Sequence, residues 1–188
     1  MVDVEFDGLK LIAGEPVLDF VNSVKFRGRA QPGERLKTFH DLCRWCCTAG
    51  LLSGEEFESV AAFRAETVFA EALAVRETLR KYLDNPGDSA ACNALESLLA
   101  DARPTLRLSP EAKRLFYRVE VRRANDVLRR LKSEIASFLE TWEPEKTRSC
   151  LADDCDWVFL DRTKAGARRW CDSRTCGNRD RVRRYRAH

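Results

Sequence analysis

Apolar residues recur every three to five positions over much of the chain, the spacing of helices that bury one face. The clearest stripe is Ala124, Val127, Leu128, Leu131, Ile135, Phe138, Leu139 and Trp142, closed by Pro144. A second stripe runs through Phe57, Val60, Phe63, Val68, Ala72, Val75, Leu79 and Tyr82. Ser53 and Glu56 stand at capping-box spacing before it, and Asn85-Pro86-Gly87 ends it. The pattern predicts a long helical stretch, broken once. Further helices are predicted over 38–49, with Gly50 just past the end, and over 89–102, before Pro104. Residues 8–24 predict a short strand and then a short helix with Pro16 in its first turn. The loop Arg27–Gly33 follows, rich in turn formers. Leu115–Val121 has β-type composition and partial alternation, which predicts a hairpin with 105–108. Glu143–Ser149 reads as a linker.

Composition narrows the class. Hydrophobic residues make up 44% and charged residues 34%, enough for a core and a well-hydrated surface. No apolar run approaches the roughly 20 residues of a membrane helix, so no membrane association is expected. The acidic N-terminus lacks the basic and apolar regions of a signal peptide, and a cytoplasmic protein is expected. The net charge of +3 is unevenly distributed. Residues 146–188 carry twelve Lys or Arg against six Asp, a net of +6, and the remainder is −3. A basic end on an acidic body points to an anionic partner, with nucleic acid the first candidate.

The eight cysteines are Cys43, Cys46, Cys47, Cys92, Cys150, Cys155, Cys171 and Cys176. Disulfides are not expected in a cytosolic chain. The last four form two pairs of Cys-x4-Cys spacing, fifteen residues apart. Two cysteines in one tight turn can reach a single metal, and a second pair completes the tetrahedral thiolate shell of a structural Zn²⁺. One structural Zn²⁺ is therefore expected on Cys150, Cys155, Cys171 and Cys176. Four thiolates leave no open position for catalysis. Between the pairs, Trp157–Leu160 reads as a strand, 161–167 as a turn, and Arg168-Arg169-Trp170 as a returning strand. A helix is predicted from near Cys176. Cys43, Cys46, Cys47 and Cys92 lie in apolar helical stretches and read as buried small hydrophobes.

These residues resemble the CGNR zinc finger. The signature stands as Cys176-Gly177-Asn178-Arg179, with Arg168-Arg169-Trp170-Cys171 before it and Asp180–Arg186 after it. The rest resembles the ABATE domain, on Leu18-Asp-Phe-Val-Asn-Ser23, Asp41-Leu42, Trp45, Ala49–Leu52 and Val75-Arg-Glu77. The resemblance implies a mostly helical N-terminal domain over 1–143 and a treble-clef finger, a short hairpin and helix, over 144–188. It also implies a bacterial, stress-induced transcription regulator that binds DNA.

On the C-terminal helix, Val182 and Tyr185 are expected to pack inward against Trp157, Phe159 or Trp170. Arg179, Arg181, Arg183, Arg184 and Arg186 then fan outward, suited to phosphates and guanine edges, and Arg168 and Arg169 extend the surface. Specific DNA binding by one small finger is expected to need a homodimer. The competing account pairs these arginines with acids of the N-terminal domain, such as Glu55, Glu56, Glu58, Glu66 and Glu71. The finger would then be architectural in a protein-interaction module.

Asp19 and Asn22 are polar residues in an apolar run. They read either as capping and hydrogen-bonding groups or, with Arg76, as a polar pocket for a small-molecule effector. His40 and His188 have no partner arrangement. No phosphate loop, nucleophile triad or supported carboxylate pair is present, so no enzyme activity is expected.

Overall fold

The computed structural model describes residues 11–25, 33–102, 105–109 and 114–186, with the backbone path alone for 105–109 and 114–118. Most of the predicted loop Arg27–Gly33, residues 8–10 of the predicted first strand, and His188 lie outside the described residues. The chain divides into two compact units.

One unit holds Lys37–Trp142. Helix α2 spans Phe39–Thr48 and starts with Thr38 and Asp41 in a reciprocal capping box. It stops at Gly50, whose φ of +74° suits glycine. Leu51 N–H bonds the Cys46 carbonyl and Gly50 N–H the Cys47 carbonyl, a Schellman end. The long helical stretch is broken once, into α3 (Gly54–Val60) and α4 (Glu66–Asp84). Ser53 and Glu56 cap α3 reciprocally at 3.1 and 2.8 Å. Helices α5 (Ser89–Leu99) and α6 (Ala124–Glu140) follow. Between them strands β3 (Thr105–Ser109) and β4 (Arg114–Arg118) pair antiparallel, as the composition predicted. The core is the predicted one: Leu42, Trp45, Val60, Ala72, Val75, Leu79, Val127, Leu131 and Ile135 are buried. Cys43 and Cys46 lie among them, and burial pushes the Cys43 thiol up to about 12, out of thiolate chemistry. The predicted stripe residue Phe63 is instead exposed, because it falls in the break after α3.

The other unit joins Leu9–Leu36 to Glu143–His188. It contains α1 (Pro16–Val21), β1 (Val24–Lys25), β2 (Gly33–Glu34), β5 (Thr147–Ser149), β6 (Val158–Leu160) and α7 (Cys176–Arg186). Sequence reasoning placed the first of these segments with the helical domain. Helix α1 is apolar nearly all round, with Val17, Leu18, Phe20 and Val21 fully buried. Burying each of these contributes roughly 1.5–3 kcal/mol. Ahead of it, the predicted strand is an extended segment in which the Ala13 carbonyl accepts the Leu160 N–H at 2.8 Å. Gly14, at φ +88°, turns the chain from there into α1.

The predicted pairing of Trp157–Leu160 with Arg168–Trp170 is corrected. β6 pairs with β5, register Ser149 to Val158, so the strands flank the first cysteine pair. Residues 168–170 are not a strand, because the Asp161 carboxylate takes the Arg168 N–H at 2.9 Å along with the Thr163 N–H and hydroxyl. These bonds hold Asp161 below the usual carboxylate range, the Thr163 side chain contributing most. They close the loop on Gly166, at φ +57°. No helix of the described residues is long and apolar enough to cross a membrane.

Candidate metal centre and basic surface

Cys150 directly follows β5, and its N–H donates to the Trp157 carbonyl at 2.8 Å across the turn. Cys155 closes that turn through its N–H to the Ala152 carbonyl at 2.9 Å. Cys171 stands in the following loop, and Cys176 opens α7, where free helix N–H groups favour a thiolate.

The four sulfurs lie within 4.8 Å of one another. Cys155 Sγ is 3.8 Å from Cys171 Sγ, which is 3.6 Å from Cys176 Sγ. Four thiolates about 2.3 Å from one Zn²⁺ in a tetrahedron stand about 3.8 Å apart. The cage therefore fits a single structural zinc, held by the four residues the spacing selected. Hydrogen bonds among the sulfurs draw the Cys150 thiol down and push the Cys155 and Cys171 thiols up. A dication lets all four sulfurs ionise together. Donors outside the cage support the sulfur charge: Cys171 N–H reaches Cys150 Sγ at 3.4 Å, and Arg179 Nη2 reaches Cys176 Sγ at 3.1 Å.

Zinc ligation, not the apolar pattern, sets the phase of α7. The buried face is Cys176, Gly177 and Asp180. Gly177 lies on Trp170, where a Cβ would come 3.2 Å from ring atom Cε3, so the glycine allows the close approach. Val182 and Tyr185, expected inside, are 42% and 85% exposed. They lie on the far side from Asp180, at about 100° of turn per residue.

The arginines divide into groups. Arg168 is half-buried, and its guanidinium is bonded within its own unit. It donates to the carbonyls of Trp170 (3.0 Å), Ile12 (3.0 Å), Leu160 and Cys171, with its guanidinium 4.2 Å over the Phe159 ring. Arg179 pairs with Asp154 at 2.9 Å, Arg183 with Asp153 at 2.5 Å and Asp180 at 3.0 Å, and Arg184 with Asp180 at 3.1 Å. These acids belong to the same unit. Glu56 and Glu71, suggested as partners, pair with Arg130 at 2.8 Å and Lys132 at 2.5 Å. Arg169 stacks 5.2 Å over Trp170, Arg181 reaches the Ser173 carbonyl at 3.4 Å, and Arg186 is exposed. Sequence reasoning missed Lys25 and Arg35, both over the Trp157 ring at 5.3 and 5.6 Å. Burial lowers the Lys25 pKa most, with Arg35 and Arg179 adding repulsion. No local motif marks these two, because β1 and β2 bring them to the ring.

The three residues suggested for an effector pocket divide between the units, Asp19 and Asn22 in one and Arg76 in the other. Asp19 is buried and accepts the Ile12 and Ala13 N–H groups at 3.0 and 3.1 Å. Asn22 behaves as a short strand: its amide donates to the Val158 carbonyl at 2.8 Å, and its oxygen accepts the Val158 N–H at 3.0 Å. Arg76 is in the other unit, buried on α4 and bonded to Glu77 at 2.9 Å. These bonds support the capping and hydrogen-bonding account of Asp19 and Asn22.

Comparison with known families agrees with this geometry. The CGNR zinc finger model matches residues 146–188, which contain the whole cage. No curated protein matches the chain. A second model, ABATE, described as "Putative stress-induced transcription regulator", matches residues 14–142. That span is more than half of the chain, which therefore belongs to the ABATE family and carries a CGNR zinc finger at its C-terminal end.

Proposed function

We propose that the protein is a cytoplasmic DNA-binding transcription regulator whose zinc-centred unit makes the DNA contact. The observation that carries this reading is charge segregation. Residues 9–36 and 143–188 hold seventeen Lys or Arg against eleven Asp or Glu, a net of +6, while the other unit is −3. Four thiolates and one Zn²⁺ reduce the first figure by two. A net of about +4 on a small metal-tied unit is a field that draws a polyanion. The order of turn, strand pair and helix, with the fourth ligand on the helix's first turn, supports a treble-clef reading of the finger. The zinc is then architectural, and the reading assigns the chain no catalytic step.

A fluorescence-anisotropy titration of the zinc-loaded chain on a mixed-sequence DNA duplex, at several salt concentrations, tests this. With about four phosphates neutralised, log K falls against log salt with a slope of roughly −4. Binding that is absent, or unchanged by salt, refutes the reading. It would favour a protein-interaction module, whose motive is the pairing of Arg179, Arg183 and Arg184 with carboxylates beside the exposed Tyr185.

A further inference from the structure

The zinc-centred unit contains a groove of about 750 Å³ between the loop after Asp161 and the loop that leads into α7. Thr163, Arg168, Arg169, Trp170, Ser173 and Arg174 line it, the Arg168 guanidinium being bonded to backbone carbonyls. The arginines here differ in kind from those along α7. Arg179, Arg183 and Arg184 already hold carboxylates at 2.5–3.1 Å, so a phosphate gains them only by displacing an ion pair. Arg169 and Arg174 have no carboxylate partner among the described residues. Arg181, though on α7, turns toward Ser173 on the groove wall and also has none there. The one carboxylate in the lining, Asp172, is occupied in capping the Arg174 N–H at 2.8 Å.

The Arg169 guanidinium lies over the Trp170 ring and donates to no acceptor among the described residues, so its N–H groups can take a bidentate acceptor. Ser173 adds a short polar side chain to the lining, while the Thr163 hydroxyl is held by Asp161. Two unpaired guanidiniums in the lining, a third reaching the Ser173 carbonyl from α7, and an aromatic wall match a phosphodiester backbone. We infer that this groove, and not the outer face of α7, seats the DNA backbone, with Arg169, Arg174 and Arg181 on phosphates. This rests on the DNA-binding reading and assigns its contact residues. It also gives Arg179 and Arg183 a different task, which is to hold α7 against the cysteine turn through Asp154 and Asp153.

The test uses the full zinc-loaded chain and the same salt-dependent titration. One variant is Arg169→Gln/Arg174→Gln/Arg181→Gln, a second is Arg183→Gln/Arg184→Gln, and a third replaces the groove arginines by Lys. The groove Gln variant is expected to lose at least tenfold in affinity, and its salt slope shallows by nearly three, about 0.9 for each lost phosphate contact. The Lys variant keeps the slope, and Arg183→Gln/Arg184→Gln keeps both slope and affinity. Single Arg174→Gln breaks no ion pair among the described residues, and it shallows the slope by about one even if the triple variant fails to hold zinc. The inference is overturned if the slope survives in the groove variants and is lost in Arg183→Gln/Arg184→Gln. The DNA-binding reading then still stands. A wild-type chain that ignores DNA at low salt overturns both.

Discussion

Asn22 supplies, with one side-chain amide, the two backbone partners that β6 lacks on its α1 side. Ala in its place leaves the buried N–H and carbonyl of Val158 without these bonds, and unsatisfied buried groups are costly. Asn22→Ala is expected to destabilise the zinc-loaded protein by about 3 kcal/mol, read from urea denaturation. A loss below about 1 kcal/mol would mean that β6 is held by packing alone. Asp19, one turn earlier, makes a pH-dependent contribution. Burial raises its carboxyl to about 6, against 3.8 for the free group. The folded state therefore holds the proton more tightly, and the stabilisation is complete below 3.8 and is lost as pH rises through 6. Between pH 5 and 7 the wild type should lose about 1 kcal/mol relative to Asp19→Asn. The difference between the two proteins removes the separate pH dependence of zinc binding. At this scale the sequence announced the cysteines, whose spacing alone dictates a shared metal. It could not announce Arg168, because an arginine bound to four carbonyls and one on a surface look identical in a string of basic residues.

Elements were legible wherever periodicity and caps agreed. Ser53 with Glu56, Gly50, and the stripe from Val127 to Ile135 each put an expected end or face where it lies. Strand β5 was hidden in Thr147-Arg148-Ser149, three residues with no apolar alternation, whose pairing depends on the cysteine turn that follows. Helix α7 was found in place but misread in phase, because its inward face is chosen by Cys176 and Gly177 rather than by Val182 and Tyr185. In the helical unit, α6 is tied to its neighbours by Arg130. Its guanidinium donates to the Leu51 carbonyl at 2.5 Å, to Glu56 at 2.8 Å, and to the Val119 carbonyl. Glu56 also caps α3, so the bond couples a helix start to the middle of α6. Arg130→Ala strands two carbonyls and a carboxylate in a buried setting, and a loss of about 3–5 kcal/mol is expected in urea denaturation. Arg130→Lys restores one charge but not the fork, and should recover less than half of that loss.

The whole chain folds as two units that do not follow its linear order, and zinc removal exposes the difference. The finger as delimited by sequence, 144–188, contains only α7 among the α-helices. The observed unit contains α1 as well, so together α1 and α7 account for 17 of the 81 α-helical residues among those described. Structural zinc supplies roughly 10–16 kcal/mol to peptides of this kind, more than a small domain's entire stability. Chelation should therefore release the cage, then the β5–β6 pair, and then α1, whose Asn22 side chain holds only Val158 among the described residues. Amide hydrogen exchange of the chelated protein is expected to show residues 17–25 losing protection together with 147–182, while 66–84 and 124–140 stay protected. Circular dichroism should fall by about a fifth of its helical signal, in proportion to those 17 residues. If residues 17–25 keep their protection after the zinc is gone, α1 is held by something other than the metal-tied strand pair. If all seven α-helices of the described residues open together, zinc supports the entire chain and the two units share one cooperative transition.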